Sequence, residues 1–252
     1  MTHPDKIIQK QLDAVRQEYL KRMTSGNVPL LRQVEEYITR HNGKMLRPTL
    51  TLLSAQTLGN ENLLSRRTLL LATAVEILHN ASLLHDDVVD CATQRRGQPS
   101  VNTKWNNAVA ILVGDWHFAQ LMQLLDEVND PDASRIICRT VQSMSEAEIL
   151  AQQLSANSEL TISQYISIID GKTAYLFSTA CAIGNPQLQQ LGLHYGRLFQ
   201  IYDDIHDNEA PPFADQLLQQ EQNALKQQLA VSSQQLGDSC QQFADIILAT
   251  IR

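Results

Sequence analysis

The chain is 252 residues long, 43% hydrophobic and 19% charged, with a formal net charge of −7. That balance excludes intrinsic disorder and collagen-like repeats, and it leaves no basic footprint for nucleic acid or an anionic membrane surface. Ten glycines and eight prolines are about 7% of the residues where roughly 12% is usual, and breakers this scarce favour long helices over many short strands.

Met1 to Leu20 carries charges every few residues and no apolar core, so no signal peptide is expected. No run approaches the ~18 apolar residues of a membrane span, which makes a cytoplasmic location the expectation. Residues 4–24 place Ile7, Ile8, Leu12, Val15 and Leu20 at three- to four-residue steps, predicting an amphipathic helix stopped by Ser25-Gly26-Asn27. Leu30 to Arg40 repeats the pattern and ends at His41-Asn42-Gly43, where the glycine suits a left-handed cap. Pro48 fits the first turn of a third helix running toward Gly59. Leu63 to Asp90 has neither proline nor glycine and enough apolar residues for a helix buried on most sides, the expected centre of the fold. Cys91 to Ser100 reads as a loop presenting Arg95 and Arg96. Helices are predicted at 105–128, 133–156, 161–183 and 187–208, the second opened by Asp132 or Ser134 and the third by Thr161 with Gln164 in capping-box spacing. After Pro211-Pro212 the Gln-rich tail, 214–252, reads as two shorter helices joined at Gly237-Asp238. One all-α domain spanning 1–252 is the expectation. Cys91, Cys138, Cys181 and Cys240 show no zinc-ligand spacing and are expected to be reduced thiols.

The strongest chemical signal is Asp86-Asp87-Val88-Val89-Asp90, which recurs as Asp203-Asp204-Ile205-His206-Asp207. The first and last aspartates of each set are about 40° apart on a helix and one turn along it, so their carboxylates converge. Like charges so placed repel, nothing nearby in sequence neutralises them, and the arrangement wants a divalent cation. Oxygen-only ligands favour a hard ion such as Mg²⁺, which carboxylates commonly share with substrate phosphates. A solvated acidic helix face is the alternative; the apolar approaches Ala81-Ser82-Leu83-Leu84 and Leu198-Phe199-Gln200-Ile201 weigh against it. Cations for a phosphate stand at Lys44 and Arg47, at Arg95 and Arg96, and at Lys172. Lys172 follows Gly171, a helix-interior glycine that marks a kink or close packing.

In order, the chain reads GKMLRP, HNASLLHDDVVD, RRGQPS, VGD, DGKTAYLF and GRLFQIYDDIHD. This series resembles the trans-type isoprenyl diphosphate synthases of the polyprenyl synthetase family. The resemblance implies a bundle of roughly ten helices around a central cavity, the isoprenoid synthase fold. It implies that Asp86, Asp87, Asp90, Asp203, Asp204 and Asp207 hold three Mg²⁺ ions on the diphosphate of an allylic substrate. Arg95 and Lys172 match residues contacting that diphosphate; Lys44, Arg47, His79 and Arg96 match the pocket for isopentenyl diphosphate. Thr173 and Gln200 fall near the reacting carbons. The catalytic residues so implied are Asp86, Asp87, Lys172, Thr173, Gln200 and Asp203. Charge developing on a leaving diphosphate would be stabilised by the metal and the cationic side chains, and the family's homodimer, or a heteromer, is the implied assembly.

In this family the residues just before the first acid set floor the product pocket. Ala81 and Ser82 are small, which implies a product of C20 or longer, with Met144 or Ile149 as deeper limits. The chain departs from the family after Asp207: a lysine-bearing loop and further helices usually follow, and the sequence is shortened near 208–222. That shortening supports a second expectation, a catalytically silent or partner-dependent subunit. A terpene cyclase fits less well, because Asp203 to Asp207 lacks the second metal motif of that class.

Overall fold

A computed structural model describes residues 6–40, 43–59, 64–154 and 160–236. In chain order the elements are α1 (Lys6–Met23), α2 (Pro29–Arg40), α3 (Leu46–Gln56) and α4 (Arg66–Val89), then a small antiparallel hairpin of β1 (Gln94–Arg95) and β2 (Gln98–Pro99). They continue with α5 (Val101–Lys104), α6 (Asn107–Val128), α7 (Pro131–Leu154), α8 (Ile162–Ile169), a π-helical turn over Asp170–Ala174, α9 (Tyr175–Gly184), α10 (Gln189–His206) and α11 (Ala214–Leu236). The all-α expectation holds. The tail helix expected beyond Gly237, the His41-Asn42 stop and Cys240 lie outside the described residues.

Three expectations change in detail. The loop at 91–100 contains the hairpin, whose turn residues Arg96 and Gly97 both take positive φ, 53° and 76°. That is the turn type whose twist matches a tight two-residue hairpin. The helix expected from 105 begins at Asn107, because Asn106 caps α6 by accepting from Val109 N at 2.9 Å, and a one-turn helix, α5, precedes it. The helix expected over 161–183 opens with the Thr161–Gln164 capping box, as read, and is then interrupted by the π turn.

The chain divides into two compact units, each discontinuous in sequence: 1–9, 50–64 and 131–252 form one, and 10–49 and 65–130 the other. No linker marks a boundary, because each unit is assembled from alternating segments.

In the second of these, α4 packs most extensively on α6. Residues all round α4 are buried, among them Leu71, Ala74, Ile77, Leu78, Ala81 and Leu84, as its lack of breakers led one to expect. Ser65 caps its start by accepting from Thr68 N at 3.0 Å. Of the described helices, α6 is the one long and apolar enough to cross a membrane by length and composition, a match the run-length reading missed. Its face through Ala110, Val113, His117, Leu121 and Leu124 is buried. Fully buried Glu35 on α2 and His117 on α6 meet at 2.8 Å, while Glu35 Oε2 and His117 Nδ1 have no hydrogen-bond partner.

In the other unit, α10 lies between contacts to α9 and α11, and the π turn packs on both α7 and α10. Tyr165, Ile169, Ile201, Ala214 and Leu217 form a core cluster, and Phe177 sits edge-on to Tyr195, centroids 5.2 Å apart. Asp170 in the π turn takes a two-pronged pair from Arg197 (2.6 and 2.7 Å), and Arg197 reaches Glu221 of α11 at 3.2 Å. Burial would lift the Glu221 carboxyl, but the hydrogen bond with His194 and the charge of Arg197 bring it below its ordinary value.

Breaking a buried polar pair at one end strands the other partner, whereas apolar replacement of both is often neutral. His117→Leu is therefore expected to cost about 3 kcal/mol in urea unfolding, and the Glu35→Leu/His117→Leu double variant to recover most of that loss. Additive losses in the double variant would show that the pair contributes more than it costs to bury.

Candidate active site

The first acid set sits on the last turn of α4. Ala92 N donates to Asp87 O (2.9 Å) and Cys91 N to Val88 O (3.3 Å), around Cys91 at φ 52°. The second set ends α10 in the same way: Glu209 N donates to Asp204 O (2.9 Å) and Asn208 N to Ile205 O (3.3 Å), around Asn208 at φ 60°. Both helices thus close in the two-bond left-handed cap. Carboxylates at a helix C-terminus face the negative end of the macrodipole, which disfavours them and favours a cation beside them.

The carboxylates are not equivalent. Asp87 is 3% exposed, and its Oδ1 accepts from Arg95 Nε at 2.8 Å and from Nη2. Burial lifts its carboxyl above the ordinary value against the pull of Arg95. The expectation that nothing nearby neutralises the first set is corrected here, since the hairpin brings Arg95 back onto Asp87. Asp86 is half-buried and Asp90 exposed. On α10, Asp203 and Asp207 are exposed, and Asp204 is half-buried, its two oxygens held by Gln200 Nε2 (2.7 Å) and the Tyr165 hydroxyl (2.5 Å).

Cationic groups collect behind the first set. Arg47 Nη1 lies 3.1 Å from His79 Nε2. Burial, then the charges of Arg47, Arg96 and Arg95, hold the His79 imidazole well below its usual value, so the neutral ring accepts from Arg47. Buried Glu76 is lifted by burial and drawn back by Arg47 and Arg96. Gly43 takes no left-handed φ, contrary to its expected capping role. Its missing side chain makes room instead, since a Cβ there would stand 2.8 Å from Arg96 Nη2. Lys44 beside it is exposed.

In the other unit, the π turn carries Lys172 and Thr173. Lys172 Nζ pairs with Glu148 of α7 at 2.8 Å, and Thr173 Oγ1 donates to Gln200 Oε1 at 2.5 Å. Thr173, Gln200, Asp204 and Tyr165 therefore form one hydrogen-bonded series, with Lys172, Gln200, Asp204 and Tyr165 lining a cavity of about 470 Å³ whose other walls include Ala151, Leu154 and Ile168. Gly171 is where the turn meets α7, because a Cβ there would fall 2.2 Å from Ala147 Cβ and 2.6 Å from Ser143 O.

Among the described residues, no group of three or more His, Cys, Asp or Glu side chains is arranged to hold a metal ion. Of the middle aspartates, Asp87 turns to Arg95 and Asp204 to Tyr165 and Gln200. The donor set still suits a hard cation: carboxylate oxygens alone, at the negative ends of two helices. Of the residues expected near a product pocket, Ala81 and Met144 are buried and Ser82 half-buried, its hydroxyl donating to His79 O at 2.9 Å. Ile149 is 67% exposed, which removes it as a pocket floor. Tyr165, Glu148 and the Arg95–Asp87 pair escaped the sequence reading.

This helical architecture is the isoprenoid synthase fold: a decaprenyl diphosphate synthase structure from Rhodobacter capsulatus matches with a TM-score of 0.75 at 35% identity, covering 79% of this chain and 64% of that one. The polyprenyl synthetase pattern matches residues 28–215, and the chain belongs to that family. It is 34% identical over 203 residues to an all-trans-nonaprenyl-diphosphate synthase (geranyl-diphosphate specific) of Rhodobacter capsulatus, covering 77% of this chain and 62% of that protein. It is 31% identical over 206 residues to heptaprenyl diphosphate synthase component 2 of Bacillus subtilis (strain 168), covering 78% and 58%. The chain thus spans about six tenths of the length of the curated relatives it matches.

Gly171→Ala is expected to lower stability by about 2 kcal/mol, since overpacking at a contact this close forces a backbone shift. A nuclear magnetic resonance spectrum should show the shift spreading to Lys172, Thr173 and Gln200. A wild-type unfolding midpoint would mean α7 can yield at no cost.

Proposed function

We propose that the protein is a magnesium-dependent prenyltransferase that joins isopentenyl diphosphate to an allylic diphosphate, giving a trans-polyprenyl diphosphate of C20 or longer. The observation that carries this reading is the same Asp-Asp-x-x-Asp pattern closing two helices by the same left-handed cap. Membership of the polyprenyl synthetase family supports it. Asp86, Asp87 and Asp90, and Asp203, Asp204 and Asp207, are the residues that would hold Mg²⁺; the ion, when bound, stabilises charge developing on the leaving diphosphate.

The remaining work falls to this chain's own groups. Arg95 and Lys172, now paired with Asp87 and Glu148, exchange those partners for the allylic diphosphate. Arg47, Arg96 and Lys44, with neutral His79 accepting from Arg47, take the diphosphate of isopentenyl diphosphate. The allylic C–O bond breaks, its electron pair leaving with the diphosphate; the alkene attacks the resulting cation at C1, and a proton is lost to the departed diphosphate. Thr173 and Gln200, bonded to each other, stand as the polar groups nearest that chemistry. Water has to be kept from the cation, which the apolar side chains near Lys172 and Gln200 favour.

The small side chain of Ala81 supports a long product. An exposed apolar stripe on α6, including Ile111, Leu112 and Met122, supports a second copy of the chain as partner, and a cytoplasmic enzyme accords with this reading. A second reading, a subunit that needs a different partner for turnover, is favoured by the shortened chain and by the component-type relative.

Purified protein with Mg²⁺, labelled isopentenyl diphosphate and farnesyl diphosphate should give a ladder of elongated prenols after dephosphorylation, lost in Asp86→Ala. Absence of product with several allylic primers would favour the subunit reading. Ala81→Phe should shorten the ladder at unchanged unfolding midpoint, and an unchanged ladder would sink the chain-length assignment.

A further inference from the structure

We propose that Tyr165 is a positioning residue of the second acid set: its hydroxyl fixes the Asp204 carboxylate in the orientation used for cation and diphosphate binding. The inference deepens the prenyltransferase reading and rests on it.

Both oxygens of the Asp204 carboxylate are held. Tyr165 Oη donates to Oδ2 at 2.5 Å and Gln200 Nε2 to Oδ1 at 2.7 Å. Gln200 is itself oriented, because Thr173 Oγ1 donates to its Oε1 and so turns its amide nitrogen toward Asp204. A tyrosine hydroxyl is protonated at neutral pH, so it donates here. Both donors are neutral. Asp204 is therefore oriented without losing its charge, in contrast to Asp87, whose charge is met by Arg95. Donors behind a ligating carboxylate that fix its rotamer typically carry a ten- to hundredfold effect on metal affinity.

The backbone arranges this. Tyr165 and Thr173 are eight positions apart, which on a regular helix would set them about 80° apart, toward opposite edges of one face. The π turn at Asp170–Ala174 absorbs about one extra residue, which brings them back to within ~20°. Their acceptors, Gln200 and Asp204, are an i, i+4 pair on α10. The Tyr165 ring is 5% exposed and stands edge-on to Phe213, centroids 5.8 Å apart at 74°. Phe213 follows Pro211-Pro212 directly, so the segment after the second acid set seats the ring whose hydroxyl holds that set. Packing accounts for the ring; phenylalanine would pack as well, and only the hydroxyl reaches Asp204.

Mn²⁺ binding in the presence of inorganic diphosphate, followed by electron paramagnetic resonance, tests the inference without turnover. Tyr165→Phe should weaken Mn²⁺–diphosphate binding about tenfold at unchanged unfolding midpoint. In the prenyl-transfer assay it should raise the Mg²⁺ concentration for half-maximal rate while the KM for isopentenyl diphosphate stays constant. Added to Asp204→Asn, it should have no further effect. Wild-type Mn²⁺ affinity in Tyr165→Phe overturns the inference, as does an equal loss in the Asp204→Asn background, since the tyrosine is then a packing residue only. If the wild-type protein binds no Mn²⁺ with diphosphate, the prenyltransferase reading fails first and takes this one with it.

Discussion

The close approach of the π turn to α7 is the constraint on which the site around the second acid set depends. Gly171 has no room for a Cβ, and Gly196 on α10 is equally tight, a Cβ there falling 2.6 Å from Ala174 Cα. The turn is thus held between two helices with a glycine at each contact. Its irregular winding costs hydrogen-bond geometry, but it sets the rotation at which Lys172 and Thr173 emerge relative to Tyr165, about two turns earlier. The two-pronged Arg197–Asp170 pair, extended to Glu221, holds the turn from the α10 and α11 side.

At the two acid-bearing helix ends the electrostatics are handled differently. Asp87 is buried and answered by a guanidinium, whereas Asp204 is half-buried and answered by a phenol and an amide. A buried carboxylate with no ionic partner would be costly, so the deeper of the two receives the full counter-charge. The exposed members, Asp90, Asp203 and Asp207, are solvated. Each end therefore offers a cation at least one exposed carboxylate beside one whose direction is already set.

Much of this was legible in the residues. The helices at α1 to α4, α6, α7 and α10 follow from three- and four-residue apolar steps bounded by caps, and the acid sets follow from spacing within one helix turn, both of which are local. What escaped was non-local or hung on one extra residue. The π turn cannot be seen by a 3.6-residue period, although Gly171 marked its place. The Glu35–His117 pair joins residues 82 positions apart, and each alone reads as an isolated polar residue in an apolar stripe. Strands of two residues are too short to show alternation, so the hairpin that folds Arg95 onto Asp87 read as a loop. Ile149 lies five positions past Met144, about 140° further round α7, so burial of one leaves the other outside.

That hairpin has a consequence for how the basic residues work together. Arg95 ends one strand and faces Asp87; Arg96, the next residue, takes the left-handed turn and faces Gly43. One peptide plane separates two guanidinium groups with different partners, so a substitution that reshapes the tight turn displaces both at once.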